Sequence, residues 1–226
     1  DMEASLLLMN LLAAMTMNLR NNRGRKKIAA RQKSRPQRKI YLVICEGEVT
    51  EKEYLEGYRR TFRNGKISLH FPPDHGVPLS LVRIAKDLKK AAERVARNTG
   101  DRGQSYDQVW CVFDVDAHPN LARAMDEASA NGIELAISNP CFELWLLLHF
   151  RDSPGMQSRS TIQRMLKNYV NGYVKHVDFS QYEDRVTEAV SRATRISLIA
   201  NADGEPGRNP TTGVYRLIES INGDRP

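Results

Sequence analysis

Short apolar runs of strand length alternate with amphipathic stretches between residues 40 and 150. Four runs predict β-strands: Ile40–Cys45, Ile67–Phe71, Gln108–Phe113 and Ile133–Ile137. Apolar residues at helical spacing predict four α-helices: Glu51–Phe62, Ser80–Arg97, Leu121–Ala130 and Cys141–Phe150. This alternation predicts an α/β fold in which helices cover both faces of a parallel sheet and the connections are right-handed.

The pattern changes after residue 151 and becomes helical. Helices are predicted over Thr161–Val170, Tyr182–Ala200 and Thr211–Ile221, with no strand between them. We therefore divide the chain into a basic N-terminal arm at 1–38, an α/β domain at 39–150 and a helical C-terminal extension at 151–226.

Positive charge is concentrated in the N-terminal arm. Residues 1–45 hold ten Lys or Arg and two acids, so this segment carries +8 and the remainder of the chain carries −1 of the total +7. One interpretation is a solvated, disordered tail. The other is a phosphate-binding arm, in which clustered cations such as Arg25, Lys26 and Lys27 release counterions from a nucleic-acid substrate. The two are compatible, because a disordered arm can fold on RNA or DNA.

Membrane insertion and metal-binding thiols are not indicated. There is no apolar stretch close to the roughly eighteen residues that span a bilayer. Cys45, Cys111 and Cys141 form no C-x-x-C pair, and each lies in or beside an apolar run. They are interpreted as buried free thiols in a reducing compartment, which predicts a cytoplasmic protein. The sequence leaves the oligomeric state open, a homodimer included.

Polar side chains follow the predicted strands at the points where these strands end. Glu46 follows the first strand, Asp114 and Asp116 follow a later one, and Asn139 follows another, with Glu143 one turn into the next helix. Ligands bind outside the carboxyl ends of parallel strands, so these groups are expected to share one edge of the sheet. The acids are candidate catalytic groups. Asn139 is a candidate substrate contact and also a candidate N-cap of the following helix.

Clustered carboxylates repel one another unless a cation lies between them. Mg²⁺ (or Mn²⁺) prefers oxygen ligands and retains water molecules that a phosphate can replace. Residues two apart in an extended strand point the same way, so Asp114 and Asp116 can face one ion or two neighbouring ions. Two such ions can activate a water and stabilise the leaving oxygen in phosphodiester cleavage.

Each candidate acid also has a simpler explanation. Glu46 beside Gly47 fits turn chemistry, and a D-x-D pair alone is a weak motif. Glu143 is more informative, because its segment is otherwise apolar except for His149, and a buried charge is costly unless it is paired or bound to metal. His149 is interpreted as a packed core histidine.

The remaining candidates lie close to these acids. Glu48, Glu51 and Glu53 include solvated acids at the start of a helix, where negative charge is favoured by the helix dipole. Glu51 is the best second metal ligand among them. His118 follows the D-x-D pair closely enough to contact substrate.

Four ordered motifs resemble the RloB-like family, a branch of the Toprim superfamily. They are Ile44–Glu51, Val112–Asp116, Ser138–Trp145 and Asn209–Thr212. Each piece is weak alone, but the ordered set is specific, and the resemblance covers roughly residues 38–220. It implies a Toprim-like parallel sheet of the kind found in topoisomerases, primases and nucleases.

The resemblance also implies roles for the acids. The Toprim pattern places a Glu after the first strand and a D-x-D after a later one, and both bind Mg²⁺. On that pattern Glu46 is an acid/base or metal-proximal residue, and Asp114 and Asp116 are metal ligands. Resemblance to the nuclease branches adds Glu51 as a second-metal ligand.

The resemblance implies a function in bacterial phage defence and abortive infection. RloB-like proteins often occur beside an ATPase gene, which implies an ATPase partner, since this chain has no Walker A pattern of its own. The chain has little room for the further domains of topoisomerases or primases, so we expect a Mg²⁺-dependent endonuclease that acts on tRNA, other RNA or DNA. The alternatives are a non-catalytic nucleic-acid-binding or partner-docking subunit and a nucleotidyl or phosphate-transfer enzyme.

Overall fold

Five β-strands form a central sheet in the part of the chain that the structure, a computed structural model, describes: residues 39–62, 67–71, 77–115 and 120–223. In chain order the strands are β1 Tyr41–Cys45, β2 Ile67–His70, β3 Gln108–Asp114, β4 Glu134–Asn139 and β5 Thr211–Thr212. Their spatial order is β2-β1-β3-β4-β5. The first four are parallel, and β5 pairs antiparallel with β4.

Seven α-helices accompany these strands within the described residues. They are α1 Thr50–Thr61, α2 Pro78–Thr99, α3 Leu121–Ala130, α4 Glu143–Leu148, α5 Arg159–Leu166, α6 Val186–Ala202 and α7 Val214–Gly223. Short 3₁₀ turns lie at Arg102–Gln104, Phe179–Gln181 and Glu183–Arg185. The mixed α/β fold with a mostly parallel sheet is as predicted.

Helices cover both faces of the sheet, which confirms that prediction. Alternate residues of β1 point to opposite faces, because a strand has a side-chain period of two. Tyr41 and Val43 join a buried cluster that includes α1 and the helices that follow β4. The opposite face is covered by α2, which packs on β1 and β3, and by α3, which packs on α2 and β4.

The short helix α4 is buried throughout, and its residues other than Glu143 are apolar. The side chains of Leu144, Leu146 and Leu148 are fully buried. They are enclosed because α4 contacts β4, β5, α5 and α6. Burying a leucine contributes about 1.5–3 kcal/mol, so this helix ties the later helices to the sheet.

The C-terminal part differs from the prediction at residues 211–221. The predicted helix over this range begins only at Val214, and Thr211 and Thr212 instead form β5. The hydroxyls of Ser138 and Thr212 are 2.9 Å apart and share a hydrogen bond. β-branched threonines suit a strand, and as β5 they pair with the end of β4. The extension therefore contributes a strand that was not predicted.

Residues before and after position 150, from the predicted α/β domain and from the predicted helical extension, contribute to one hydrophobic core. The described residues from 39 to 223 belong to one compact unit, while the proposed boundaries at 38 and 150 stay predictions. The three cysteines are buried and free, as predicted. Across the described ranges, no helix has the length and apolarity needed to cross a membrane.

Candidate functional site

The carboxyl ends of β1 and β3 lie side by side, as the sequence predicted. The register pairs Cys45 with Val112, and the pairing continues past the end of β1, where the amide of Glu46 donates to the carbonyl of Val112 at 3.0 Å. The side chain of Glu46 turns towards the neighbouring strand, and its Oε2 accepts from the amide of Asp114 at 3.4 Å. Two of the predicted acids thus meet at this edge.

Asp114 is a buried carboxylate in an unfavourable setting. Its exposed fraction is 7%. Burial is the main cause that raises its pKa to about 8; the charge of Glu51 raises it further, and the charges of Glu143 and Glu46 add smaller contributions. Arg159 opposes this effect, with Nη2 3.3 Å from Oδ2. No described residue forms a hydrogen bond with the buried Oδ1. This oxygen can therefore accept one more ligand.

Glu51 is the second buried acid, and it lies in the first turn of α1. Burial raises its pKa from an ordinary value of 4.5 to about 7, and the charges of Glu143 and Glu46 add to this effect. Its carboxylate rests against Gly47: a Cβ on that glycine would lie 1.8 Å from Oε2 of Glu51. The glycine at the strand end therefore makes room for this carboxylate.

Glu143 enters the same region from α4, and its exposed fraction is 5%. Its Oε1 accepts from Nε2 of Gln163 at 2.8 Å and from the hydroxyl of Tyr173 at 3.3 Å. The cost that the sequence predicted for a charge in this apolar helix is offset by these two donors. Glu143 is thus held at a fixed place beside Asp114 and Glu51.

Arg159, Gln163 and Tyr173 were not identified from the sequence. Ser158 caps α5, since its hydroxyl accepts from the amide of Thr161 at 3.2 Å, and this cap fixes where the helix begins. Arg159 and Gln163 are four residues apart, so they share one face of α5. A polar pair at this spacing is a visible signal in the sequence, but it does not distinguish a face towards solvent from one towards acids.

The family model described as RloB-like protein matches residues 41–221. The chain belongs to the RloB-like family. No curated protein and no solved structure gave a significant match. The matched region includes the four buried or half-buried acids and Arg159, so all the groups described above lie within the RloB-like part of the chain.

Several predicted site residues of this RloB-like chain lie outside the described residues. They are Arg25, Lys26, Lys27, Asp116 and His118. Their roles stay predictions, including the role of Asp116 as a metal ligand beside Asp114.

The role of Asn139 as a cap of the following helix was wrong. Asn139 is the last residue of β4, and α4 begins only at Glu143. Its side chain donates from Nδ2 to the carbonyl of Gly207 at 2.9 Å and so joins the end of β4 to the loop before β5. Pairing with β5 extends β4 to this residue, and this distant contact is not visible in the local pattern. Its role in substrate binding stays a prediction.

Glu53 and His149, two further polar residues considered from the sequence, have structural partners. Glu48 is exposed. Glu53 accepts from the amide of Val177 at 2.6 Å and lies 2.9 Å from the ring of His176. His149 is a packed core histidine, as predicted: Nδ1 donates to the carbonyl of Trp145 at 3.0 Å, which leaves Nε2, at 3.1 Å, to accept from the hydroxyl of Tyr54.

The donor chemistry of the RloB-like acids fits a hard divalent cation. Glu46, Glu51 and Asp114 offer carboxylate oxygens, and Oδ1 of Asp114 is buried with no hydrogen-bond partner among described residues. The described residues alone do not complete a site, since no three or more of their His, Cys, Asp or Glu side chains form a group that could hold a metal ion. Asp116, the further predicted ligand, lies outside the described residues.

The contact between Gly47 and Glu51 leads to a prediction. Gly47→Ala is expected to lower the free energy of unfolding by about 1–2 kcal/mol, because the new Cβ would displace a buried carboxylate. In a Glu51→Ala background the same substitution is expected to change stability by less than about 0.5 kcal/mol. Urea unfolding of the four proteins measures both steps. An equal loss in both backgrounds would show that Gly47 is needed for a reason other than Glu51.

Proposed function

We propose that this RloB-like protein is a Mg²⁺-dependent endonuclease that hydrolyses phosphodiester bonds in RNA or DNA. The observation that carries the proposal is the convergence of Glu46, Glu51, Asp114 and Glu143 at the carboxyl ends of parallel strands, where burial and mutual repulsion raise the pKa of Asp114 to about 8. Such crowding is costly for stability, and it is typical of a site selected for function. The proposal includes the wider Toprim relationship and a role in bacterial anti-phage defence.

The acids divide into two groups in this proposal. Glu46, Glu51 and Asp114, together with Asp116, would hold Mg²⁺ or Mn²⁺. When bound, such a cation would polarise the scissile phosphate and provide an activated water. Glu143 is fixed by Gln163 and Tyr173, so we assign it the positioning of groups around Asp114.

The chain also supplies positive charge beside the acids, where a phosphate would bind. Arg159 is, among the described residues, the cation paired with Asp114, and its side chain is 42% exposed. A guanidinium can hold two phosphate oxygens at once, so Arg159 can contact the substrate while it remains beside the acids. The protein thereby supplies one positive group at a centre that otherwise repels a polyanion.

The test is cleavage of labelled tRNA and plasmid DNA by the full chain with Mg²⁺, Mn²⁺ or EDTA. Cleavage with either metal and none with EDTA is expected, and the substrate that is cut identifies the substrate class. Analysis of the ends distinguishes hydrolysis from nucleotidyl or phosphate transfer. Cleavage that persists in EDTA would contradict the metal-dependent proposal.

A second candidate function is a non-catalytic nucleic-acid-binding or partner-docking subunit of a defence complex that contains an ATPase. It is favoured by the ion pair between Arg159 and Asp114, in which a guanidinium already neutralises part of the charge of the acids. This function predicts salt-sensitive binding without turnover. Repeating the assay with the neighbouring ATPase distinguishes such a subunit from a nuclease that needs its partner, and size-exclusion chromatography tests the proposed homodimer.

A further inference from the structure

One long segment beside the acids carries positive charge and no negative charge. Residues 153–177 contain four Lys or Arg and not a single Asp or Glu. The four cations are Arg159, Arg164, Lys167 and Lys175. The segment lies far from the basic N-terminal arm in sequence, and it belongs to the described part of the chain.

The segment contacts the acid centre, by which we mean Glu46, Glu51, Asp114 and Glu143. Arg159 is paired with Asp114 at 3.3 Å, and Gln163 donates to Glu143 at 2.8 Å. At its far end, the carbonyl of Lys175 accepts from the hydroxyl of Thr50 at 2.8 Å, one residue before Glu51. Both ends of the basic segment therefore lie against elements that carry the acids.

Helical geometry separates the faces of α5. Ile162 and Leu166 are fully buried and face the core. Arg164 and Lys167 are exposed, and their spacing of three residues places them on one stripe beside the face that carries Arg159. No described acid forms an ion pair with Arg164 or Lys167, and Lys175 is also exposed. These side chains are placed to contact a large anion.

We propose that Arg159, Arg164, Lys167 and Lys175, the α5 basic surface, bind the phosphodiester backbone of the nucleic-acid substrate. The inference rests on the proposed function, because it makes this surface the path by which a phosphate reaches Asp114. Clustered cations gain affinity by releasing counterions, and phosphate contacts fix the register of a nucleic acid without reading its sequence. An acidic centre needs such a flanking surface, since the acids alone repel a polyanion.

The test compares two double variants with the same change in charge. Arg164→Gln with Lys167→Gln removes two cations from the α5 basic surface. Lys90→Gln with Arg94→Gln removes two exposed cations from α2, on the opposite face of the sheet. Both proteins keep the N-terminal arm, so its contribution to binding is the same in each. Binding of labelled RNA and of duplex DNA is measured in EDTA over a range of salt concentrations, which separates binding from cleavage.

The α5 variant is expected to bind roughly tenfold more weakly at low salt. Its slope of log affinity against log salt should be shallower by about one to two units, since each phosphate contact contributes about 0.9 for a duplex or about 0.7 for a single strand. The α2 variant should bind like the wild type. Equal losses of affinity in the two variants, or no loss in either, would overturn the proposal. If neither variant loses affinity, the exposed cations would be available to bind a protein partner instead.

Failure of this inference is distinguishable from failure of the nuclease proposal. Asp114→Asn in each background reports on chemistry, whereas the salt slope reports on the α5 basic surface in the absence of metal. A protein that never cuts but shows the expected difference in slope would retain the surface and reject the nuclease. A protein that cuts with metal but shows equal slopes would support the nuclease proposal and reject the α5 basic surface.

Discussion

Asp114→Asn is expected to reduce metal-dependent cleavage by at least about 100-fold while the protein stays folded. Asn has the shape of Asp and can still accept from Arg159, whose Nη2 lies 3.3 Å from Oδ2 in the wild type. It lacks the negative charge that a divalent cation would require at the end of β3. Single-turnover rates on the preferred substrate measure the loss, and circular dichroism confirms the fold.

The matched control is Asp126→Asn. Asp126 is an exposed acid on α3, so this variant makes the same chemical change away from the acid centre. It should cut at the wild-type rate, and purification by the same procedure controls for contaminating nucleases. If Asp114→Asn cuts as fast as Asp126→Asn, then Asp114 has no part in the chemistry and the proposed function is wrong.

The metal-free protein is expected to be more stable near pH 6.5 than near pH 8.5, by about 1–3 kcal/mol. The folded-state pKa is raised to about 7 for Glu51 and to about 8 for Asp114, in both cases mainly by burial. The folded protein therefore binds these protons more tightly than the unfolded chain does. Their contribution to stability is complete below the unfolded pKa values near 4 and is lost as pH rises through the folded values.

His149 determines the lowest pH at which the acids dominate the change in stability. Burial lowers its pKa from 6.5 to about 3, so protonation of the unfolded chain reduces stability as pH falls below the ordinary value. At pH 6.5 this histidine is half protonated in the unfolded chain, which opposes the effect of the acids by only about 0.4 kcal/mol, and the opposition disappears at higher pH.

Urea unfolding in EDTA at the two pH values measures the difference. Asp114→Asn should remove much of it and should be more stable than the wild type at the higher pH, because the repulsion around Asp114 is gone. Asp126→Asn serves again as the control and should retain the full difference. A wild-type protein with equal stability at both pH values would show that the acids are not crowded as the structure indicates.

Local patterns were sufficient to predict two strand ends and their acids. Apolar runs placed Glu46 and Asp114 directly after strands, and the rule for parallel sheets then brought them to one edge. Glu51 was identified because it lies only one turn into the helix that follows Glu46. These inferences depend on short stretches of sequence and on a general property of parallel sheets.

Contacts between distant segments were not predictable in the same way. Arg159 meets Asp114 only because α5 packs on α4 in a particular orientation. Asn139 was expected to cap a helix but is the last residue of β4. This could not be predicted, because the pairing of β4 with β5 depends on residues about seventy positions later. A single sequence gives the polarity of such residues but not which other segment they face.

The late position of α5 and β5 in the chain has a consequence for protein synthesis. A nascent chain that ends before Arg159 carries Asp114 without its guanidinium partner and Glu143 without its two hydrogen-bond donors. Until Thr212 has been added, β4 has an unpaired edge at Ser138 and Asn139. Asp114 and Glu143 are synthesised before the residues that pair with them, so the centre can assemble only after the later helices have left the ribosome.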